Sequence, residues 1–360
     1  MNSHLKIRSS LRRIAILILV FPLLSGCWDI KDINHRSLPV MMGISLTDEH
    51  KYKVFLDIPS TGETGSVNIV SETGETINDI IDRISMNMES QVDLLHLKII
   101  LVDKSFAQDG MDDIISGFMR SRNISSKTLL VISDESLDDF FGIIANKPEQ
   151  TGNSIYDFFE KNAGWNPQMT DTRIWQVFRS IHSYTRDVVV PIVRAGKSTN
   201  FTYLGSAIIK NGKMQGQLTA PETLMTNAYY GESVHGKIEV MDEATVQIMS
   251  NELSHKTWMK DDQPFIRSSM KLKVTILETK GHPSEEDIKK NLEKMLKLRL
   301  KNVLQKSIAN EADILAIGQL FRTQLPRAEL RKWREKYYPH LDYELEVKTI
   351  IENRGNLKSL

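Results

Sequence analysis

The sequence predicts an α+β fold, with mixed and antiparallel sheets and packed helices in two to three domains behind a short leader. Three observations carry this. Stretches of period-two alternation and stretches of helical spacing come in blocks, without regular strand–helix alternation. The 360 residues, 41% apolar and 26% charged, can build two or three cores and exclude collagen-like, low-complexity and wholly disordered classes. Two polar stretches containing glycine, Asn146–Asn153 and Ala195–Asn200, divide the chain. The resulting pieces are a leader 1–26, an N-terminal domain 27–145, a middle helical segment with a return strand 146–200, and a C-terminal domain 201–360.

The leader comes first. Lys6, Arg8, Arg12 and Arg13 precede an unbroken apolar run of eleven residues, Ile14–Leu24, and no acid occurs before residue 27. A spanning helix needs about 20 apolar residues, so this run fits the hydrophobic region of a signal peptide. Leu24-Ser25-Gly26-Cys27 follows. An aliphatic residue and two small residues before a cysteine resemble the lipobox of bacterial lipoproteins, in which the thiol takes a diacylglyceryl group before cleavage. Two acyl chains hold a protein on a membrane where a single one holds weakly. Cys27 is the only cysteine, so no intramolecular disulfide and no cysteine-based zinc site is available. The chain is neutral overall, but residues 27–360 carry 42 basic against 46 acidic residues. That mild acidity gives no basic face for nucleic acid.

The mature chain opens with expected strands at Leu38–Leu46, Lys51–Ile58 and Ser66–Val70; in the second, Tyr52, Val54, Leu56 and Ile58 alternate. Thr76 caps a helix on which Ile77, Ile80, Ile81, Ile84 and Met88 keep helical spacing. A buried strand at Leu94–Val102, a helix at Met111–Arg120, a strand at Lys127–Ser133 and a helix at Leu137–Ala145 with Phe140 and Phe141 inward complete this half. Helices at Ser154–Asn162 and Thr172–Ser183 and a strand at Asp187–Arg194 make the middle segment. Tyr203–Lys210 and Lys213–Leu218 flank Asn211-Gly212, the pair a type I′ turn favours because both central residues need positive φ. A short helix opened by Pro221 leads to a meander of Val234–Met241, Ala244–His255 and Phe265–Leu277. Ser284 with Asp287 starts a long helix whose Ile288, Leu292, Leu296, Leu300, Leu304 and Ile308 form one apolar stripe. Shorter helices are expected at Asp313–Leu325 and Pro326–Lys336. In the last strand, Leu341, Tyr343, Leu345 and Val347 alternate with charged residues, leaving one face wet.

Chemistry is sparse. HExxH, GxSxG and GxGxxG are absent. Ala195-Gly196-Lys197-Ser198 resembles the end of a P-loop, but Pro191 stands where the first glycine belongs. Ser268-Ser269-Met270-Lys271 fits Ser-x-x-Lys, yet it lies in a strand pattern instead of at a helix start and has no Lys-Thr-Gly partner. The nine histidines are scattered, and the pairs Asp112-Asp113, Asp138-Asp139 and Asp261-Asp262 fit helix starts and turns. The expectation is therefore no catalytic site, no cofactor and no metal, with Cys27 as the one modified residue. The outer face of the long helix, with Lys289, Lys290, Glu293, Lys297, Arg299, Lys301 and Lys306, reads first as a solvated face.

The run Ser25-Gly26-Cys27-Trp28-Asp29-Ile30-Lys31-Asp32-Ile33-Asn34 resembles the lipobox and opening signature of the Ger(x)C family, the lipoprotein C subunits of GerA-type spore germinant receptors. Leu204-Gly205-Ser206-Ala207-Ile208, Gln305-Lys306, Ala312-Asp313-Ile314, Gly318, Trp333 and Arg354-Gly355 resemble later positions of the same family. The resemblance implies an α+β lipoprotein on the outer face of the spore's inner membrane, acylated at Cys27. It further implies two integral-membrane partners, the A and B subunits, a non-catalytic role in nutrient-triggered germination, and no direct binding of the nutrient by this subunit. Trp28, next to the lipid, suits a bilayer interface. Two other classes differ in testable ways: a solute-binding lipoprotein of a transporter has two α/β lobes and a cleft, and a cell-wall hydrolase has a catalytic dyad or metal cluster.

Overall fold

The computed structural model describes residues 35–59, 67–121, 123–146, 158–159, 167–196, 199, 201–232, 236–240 and 244–353. The leader and Cys27 lie outside them, as do most of the Asn146–Asn153 linker and of the expected helix at Ser154–Asn162.

The first part runs β1 (Arg36–Ser37), β2 (Met41–Leu46), β3 (Tyr52–Pro59), β4 (Val67–Gly74), α1 (Ile77–Met86), β5 (Gln91–Val92), β6 (Ile99–Asp103), α2 (Lys104–Asp109), α3 (Asp112–Arg120), β7 (Leu129–Ser133), α4 (Leu137–Ala145), α5 (Ile174–Ile181), β8 (Val188–Ala195), β9 (Phe201–Lys210) and β10 (Lys213–Leu218). Eight of these strands form one mixed sheet in the order β10-β9-β8-β7-β6-β2-β3-β4. Its centre, β2, β6, β7 and β8, is parallel, and an antiparallel pair closes each side. β6 and β7 read as continuous apolar runs because both their faces are covered. One face carries α1, α2, α3 and α5 over Ile44, Leu56, Ile100 and Ile132. The other carries α4, with Phe140 and Phe141 inward as the spacing predicts, and Phe55 stacks on Phe141 at 4.9 Å.

The second part runs α6 (Ala220–Tyr229), β11 (Lys237–Val240), β12 (Ala244–Lys260), β13 (Gln263–Thr279), α7 (Glu285–Ala309), α8 (Arg327–Leu330) and β14 (Asp342–Asn353). β11, β12 and β13 form the expected antiparallel meander, and β14 returns parallel to β13. α7 lays Ile288, Leu292, Leu296 and Leu300 on this sheet, in one cluster with Val347, Leu345 and Tyr343. The caps match the sequence: Thr76 Oγ1 accepts from the Asp79 amide at 3.2 Å, and Ser284 Oγ from that of Asp287 at 3.2 Å.

Some expectations are corrected. Residues 201–218, read as the head of the C-terminal domain, are strands of the first sheet: β9 pairs with the otherwise open side of β8, and Val189 lies opposite Ile208. The proposed boundary at residue 200 thus falls between two adjacent strands. Asn211 and Gly212 do take φ of 50° and 76°. Leu94–His96 is a single 3₁₀ turn, its start fixed by Asp93 Oδ1 accepting from the Leu95 amide, and the strand begins at Ile99. β12 and β13 are longer than expected, 17 residues each, because Asp261 and Asp262 both adopt positive φ and close the hairpin tightly. Of the two helices expected across 313–336, only α8, four residues long, is α-helical; Ile317–Phe321 is 3₁₀ and Trp333–Tyr337 is a π turn.

One core residue conflicts with its surroundings. Asp57 shares the α4 face of β3 with Phe55 and lies between Met41 and Ile69 of the neighbouring strands. It is fully buried, and neither carboxylate oxygen has a hydrogen-bond partner among the described residues. Burial pushes its pKa up to about 7. An unfolded aspartate titrates near 3.9, so the native state holds the proton more tightly and stability falls as pH rises between about 4 and about 7. Three pH units of such linkage amount to about 4 kcal/mol. Asp57→Asn should therefore match the parent in thermal unfolding at pH 4 and exceed it at pH 8; an equal pH dependence in both proteins refutes this role for Asp57.

Candidate functional site

The two sheets meet around a buried ion pair. Asp187 stands just before β8, and its side chain is fully covered. Arg334, in the π turn, donates from Nη2 to Asp187 Oδ1 at 2.6 Å and from Nε to Oδ2 at 2.9 Å. Nη2 also reaches the Ser183 carbonyl at 2.7 Å, and Nη1 reaches Asn211 Oδ1 in the β9–β10 turn at 3.1 Å. One guanidinium thus fastens the C-terminal part to the loop before β8 and to the hairpin turn.

A second carboxylate completes the joint. The Asp313 amide donates to Asp187 Oδ2 at 2.8 Å, and the Asp187 amide returns a bond to the Asp313 carbonyl at 2.9 Å. The Asp313 side chain is enclosed: Oδ1 accepts from the Ile317 amide at 2.8 Å, and Oδ2 from the Gly318 amide at 2.7 Å and Trp333 Nε1 at 2.9 Å. Curling the backbone around this carboxylate puts Ala316 at φ 52° and replaces the expected helix with a 3₁₀ turn. Gly318 is required by proximity, since a Cβ there would lie 2.6 Å from Trp333 Nε1. Burial pushes Asp313 up to about 7, against the Gly318 and Ile317 amides that hold it down. Burial also raises Asp187, against the pull of Arg334. Every oxygen of both carboxylates has a donor, as a buried charged group requires.

The structure separates the residues of the Ser-x-x-Lys match. Ser268 is fully buried on β13 and bonded to His255 Nδ1 at 2.8 Å, while Lys271 is exposed on the other face of the strand. Asp112-Asp113 and Asp138-Asp139 occupy the first turns of α3 and α4, and Asp261-Asp262 is the hairpin turn. Among the described residues no group of three His, Cys, Asp or Glu side chains is placed to hold a metal, and no helix is long and apolar enough to cross a membrane. Lys197 and Ser198 of the P-loop-like run lie outside the described residues. On the outer face of α7, Glu293 accepts from the Thr349 amide at 2.8 Å and Lys306 pairs with Glu222 at 2.7 Å. Lys290, Lys297 and Lys301 point to solvent.

Sequence reasoning picked out Asp313, Gly318 and Trp333 as resemblance positions without a physical role. It missed Asp187 and Arg334, which lie 147 residues apart. The only trace of them is an unpaired acid ahead of an apolar strand.

The described residues form a mixed α+β body whose two sheets are joined by this buried ion pair. Two family models then cover nearly all of it: one described as "Spore germination protein N-terminal domain" matches residues 29–195, and one described as "Spore germination B3/GerAC like, C-terminal" matches residues 204–355. The chain belongs to this GerAC-like family of spore germination proteins. It is 25% identical to spore germination protein A3 of Bacillus subtilis (strain 168) over 95% of this chain and 98% of that one. It is 24% identical to spore germination protein B3 of the same organism over 96% and 98%, and 20% identical to spore germination protein GerQC of Bacillus cereus over 96% and 99%. The crystal structure of the GerBC protein shares the fold, with a TM-score of 0.59 at 18% identity, covering 87% of this chain and 97% of that one.

The joint makes a direct prediction. Arg334→Met leaves Asp187 buried and unpaired and should destabilise the protein by about 3–5 kcal/mol in denaturant unfolding. Asp187→Leu combined with Arg334→Met should recover part of that loss; simple additivity of the two substitutions contradicts the pairing.

Proposed function

We propose that the chain is the lipid-anchored C subunit of a nutrient germinant receptor, working without catalysis as an assembly or signal-coupling part beside two integral-membrane subunits of A and B type. The observation that carries this reading is the pair of family matches, the first of which begins at Asp29, two residues after Cys27. The Leu24-Ser25-Gly26-Cys27 sequence behind an eleven-residue apolar run supports anchoring through a diacylglyceryl group on Cys27, with a further N-acyl chain, on the outer face of the spore's inner membrane. Burial of Ser268, and its separation from Lys271, supports a non-catalytic role. No cofactor enters this reading, and the nutrient is assigned to the membrane subunits.

Cys27→Ala should abolish metabolic labelling by palmitate, leave the leader attached or release the protein from membranes, and impair germination with nutrients. Normal labelling or full retention of the processed variant refutes the anchor. On α7 the simplest reading is a solvated face. Charge reversal at Lys290, Lys297 and Lys301 together should leave folding, localisation and nutrient germination unchanged, and selective loss of germination would show that the face meets a partner.

A further inference from the structure

Arg179, Arg186, Arg322 and Arg331 gather about the loop between α5 and β8. Arg186 lies in that loop, and Arg179, on α5, is close enough that the charge of Arg186, after burial, lowers its pKa. Arg322 is held through Gln319, which donates to Thr185 Oγ1 in the loop and accepts from Arg322 Nη1 at 3.3 Å. Arg331, just after α8, lies 5.8 Å from the centre of the Tyr184 ring. None of these arginines makes an ion pair with a described residue, and Nε of Arg186 is buried without a hydrogen-bond partner among them. By contrast, Arg36, Arg173, Arg194, Arg267 and Arg334 each meet a carboxylate.

Aromatic rings stand among the arginines. Trp175, Tyr184 and Tyr230 keep 37%, 46% and 42% exposure. Arg179 lies 4.8 Å from the centre of the Trp175 ring, and Tyr230 feels the charges of both Arg186 and Arg179. The Tyr230 hydroxyl donates to the Ile314 carbonyl at 2.8 Å, which fixes its ring at the surface. A guanidinium over a ring is ordered and weakly hydrated, so it sheds water readily. The free acids at the margin are Glu232, beside Tyr230, and Glu335, one turn beyond Arg331; Asp171 is taken by Arg173 at 3.4 Å. The bases outnumber them, and the face is positive on a mature chain that is mildly acidic.

Two further observations give this face a place. It is assembled from both parts of the molecule and held by the joint, because Arg334 donates to the Ser183 carbonyl at 2.7 Å and the Arg186 carbonyl at 3.4 Å while pairing with Asp187. It also adjoins the point where the chain enters the body, through Arg36–Val40 at the start of β2. The Lys98 amide donates to the Val40 carbonyl at 2.9 Å, Leu129 to Lys98 at 2.9 Å, and Ile174 to Thr128 at 3.0 Å. Three such spacings put Trp175 about 15 Å from the entry point. The eight peptide links from Cys27 to His35 span at most about 30 Å, so a bilayer that holds Cys27 lies within reach of the face.

We propose that this arginine and aromatic face rests on the membrane and binds anionic phospholipid headgroups, so that the tether and the face together fix how the body stands on the bilayer. The placement rests on the lipid-anchor reading. Guanidinium groups without carboxylate partners are free to take phosphate oxygens in pairs. Trp and Tyr rings settle at headgroup level, and basic residues are drawn to an anionic surface. The lysines of α7 differ on both counts: they have no exposed aromatic ring among them, and Glu285, Glu286 and Asp287 open the same helix.

The test uses the full-length protein in native membranes with a photo-crosslinking residue in place of Tyr184, and a second sample with that residue in place of Leu298, which is 58% exposed on α7. Irradiation should give an anionic phospholipid adduct at position 184, identified by mass spectrometry, at least fivefold above that at position 298. Arg179→Gln with Arg331→Gln, both at exposed side chains, should reduce the adduct at least fivefold at unchanged thermal stability, and Arg322→Gln should reduce it further. Equal labelling at the two positions overturns the proposal, as does an adduct to an acidic protein segment in place of lipid, or one indifferent to the arginine substitutions. Membrane fractionation of the same samples reads the anchor separately. Protein retained on membranes without the adduct refutes the face alone. Protein recovered in the soluble fraction refutes the anchor, and vesicles of phosphatidylglycerol added to it then decide the face: an arginine-dependent adduct upholds it, and none, or an equal one with phosphatidylcholine vesicles, refutes it.

Discussion

The ion pair of Asp187 and Arg334 is the constraint on which the rest of the molecule depends. Taking both charges out of water costs several kcal/mol each, and their attraction offsets that only where every remaining donor and acceptor is used. Here they are used: the guanidinium also reaches Ser183 and Asn211, and Asp187 also receives the Asp313 amide. The requirement propagates outward. Asp313 must be bonded in turn, so the chain curls to present the Ile317 and Gly318 amides, Gly318 must lack a side chain, and Trp333 must lie where its indole N–H reaches Oδ2. Positions that read in the sequence as isolated family-like residues are the components of one electrostatic enclosure.

This joint also bears on which kind of protein the chain can be. A solute-binding protein with two lobes closes on its ligand about a hinge, and the interface between its lobes is correspondingly open. Here Val189, Ile208 and Leu218 of the first sheet belong to the same apolar cluster as Ile288, Leu292 and Trp333 of the second part. α6, buried almost throughout, lies between the two and is fastened at its start by Thr219, Glu222 and Lys306. A shared core and a filled polar joint couple the two sheets as one packed body.

Much of this was legible locally, and the limits follow from sequence distance. Period and caps identified α1 and α7, the β9–β10 turn and the wet face of β14, because each is decided by residues within a few positions of one another. Strand membership was not legible at residues 201–218: the alternation is the same whether β9 pairs with β8 or with a later strand, and only the open side of β8 settles it. The helix expected at Asp313–Leu325 failed for a different reason. Its spacing is helical, but the enclosure of Asp313 draws the same amides away from the i→i−4 ladder.

The exposed strand edges follow the same division between interior and surface. β12 pairs with β11 only from Ala244 to Gln247, so its outer side from Ser250 onward faces no partner strand among the described residues. Such an edge invites pairing with another chain. Its outward side chains include Glu252, Lys256 and Lys260, and Thr257 is occupied by Gln324 at 2.6 Å, so charge and one side-chain bond blunt it. β14 is blunted by a helix instead: Glu293 of α7 takes the Thr349 amide at 2.8 Å. The outer side of β12 is thus charged and that of β14 capped. A sheet with one face on the core and its free strand sides charged or bonded to side chains stays a closed unit, and the packing of α7 over it supplies both the apolar cover and the cap.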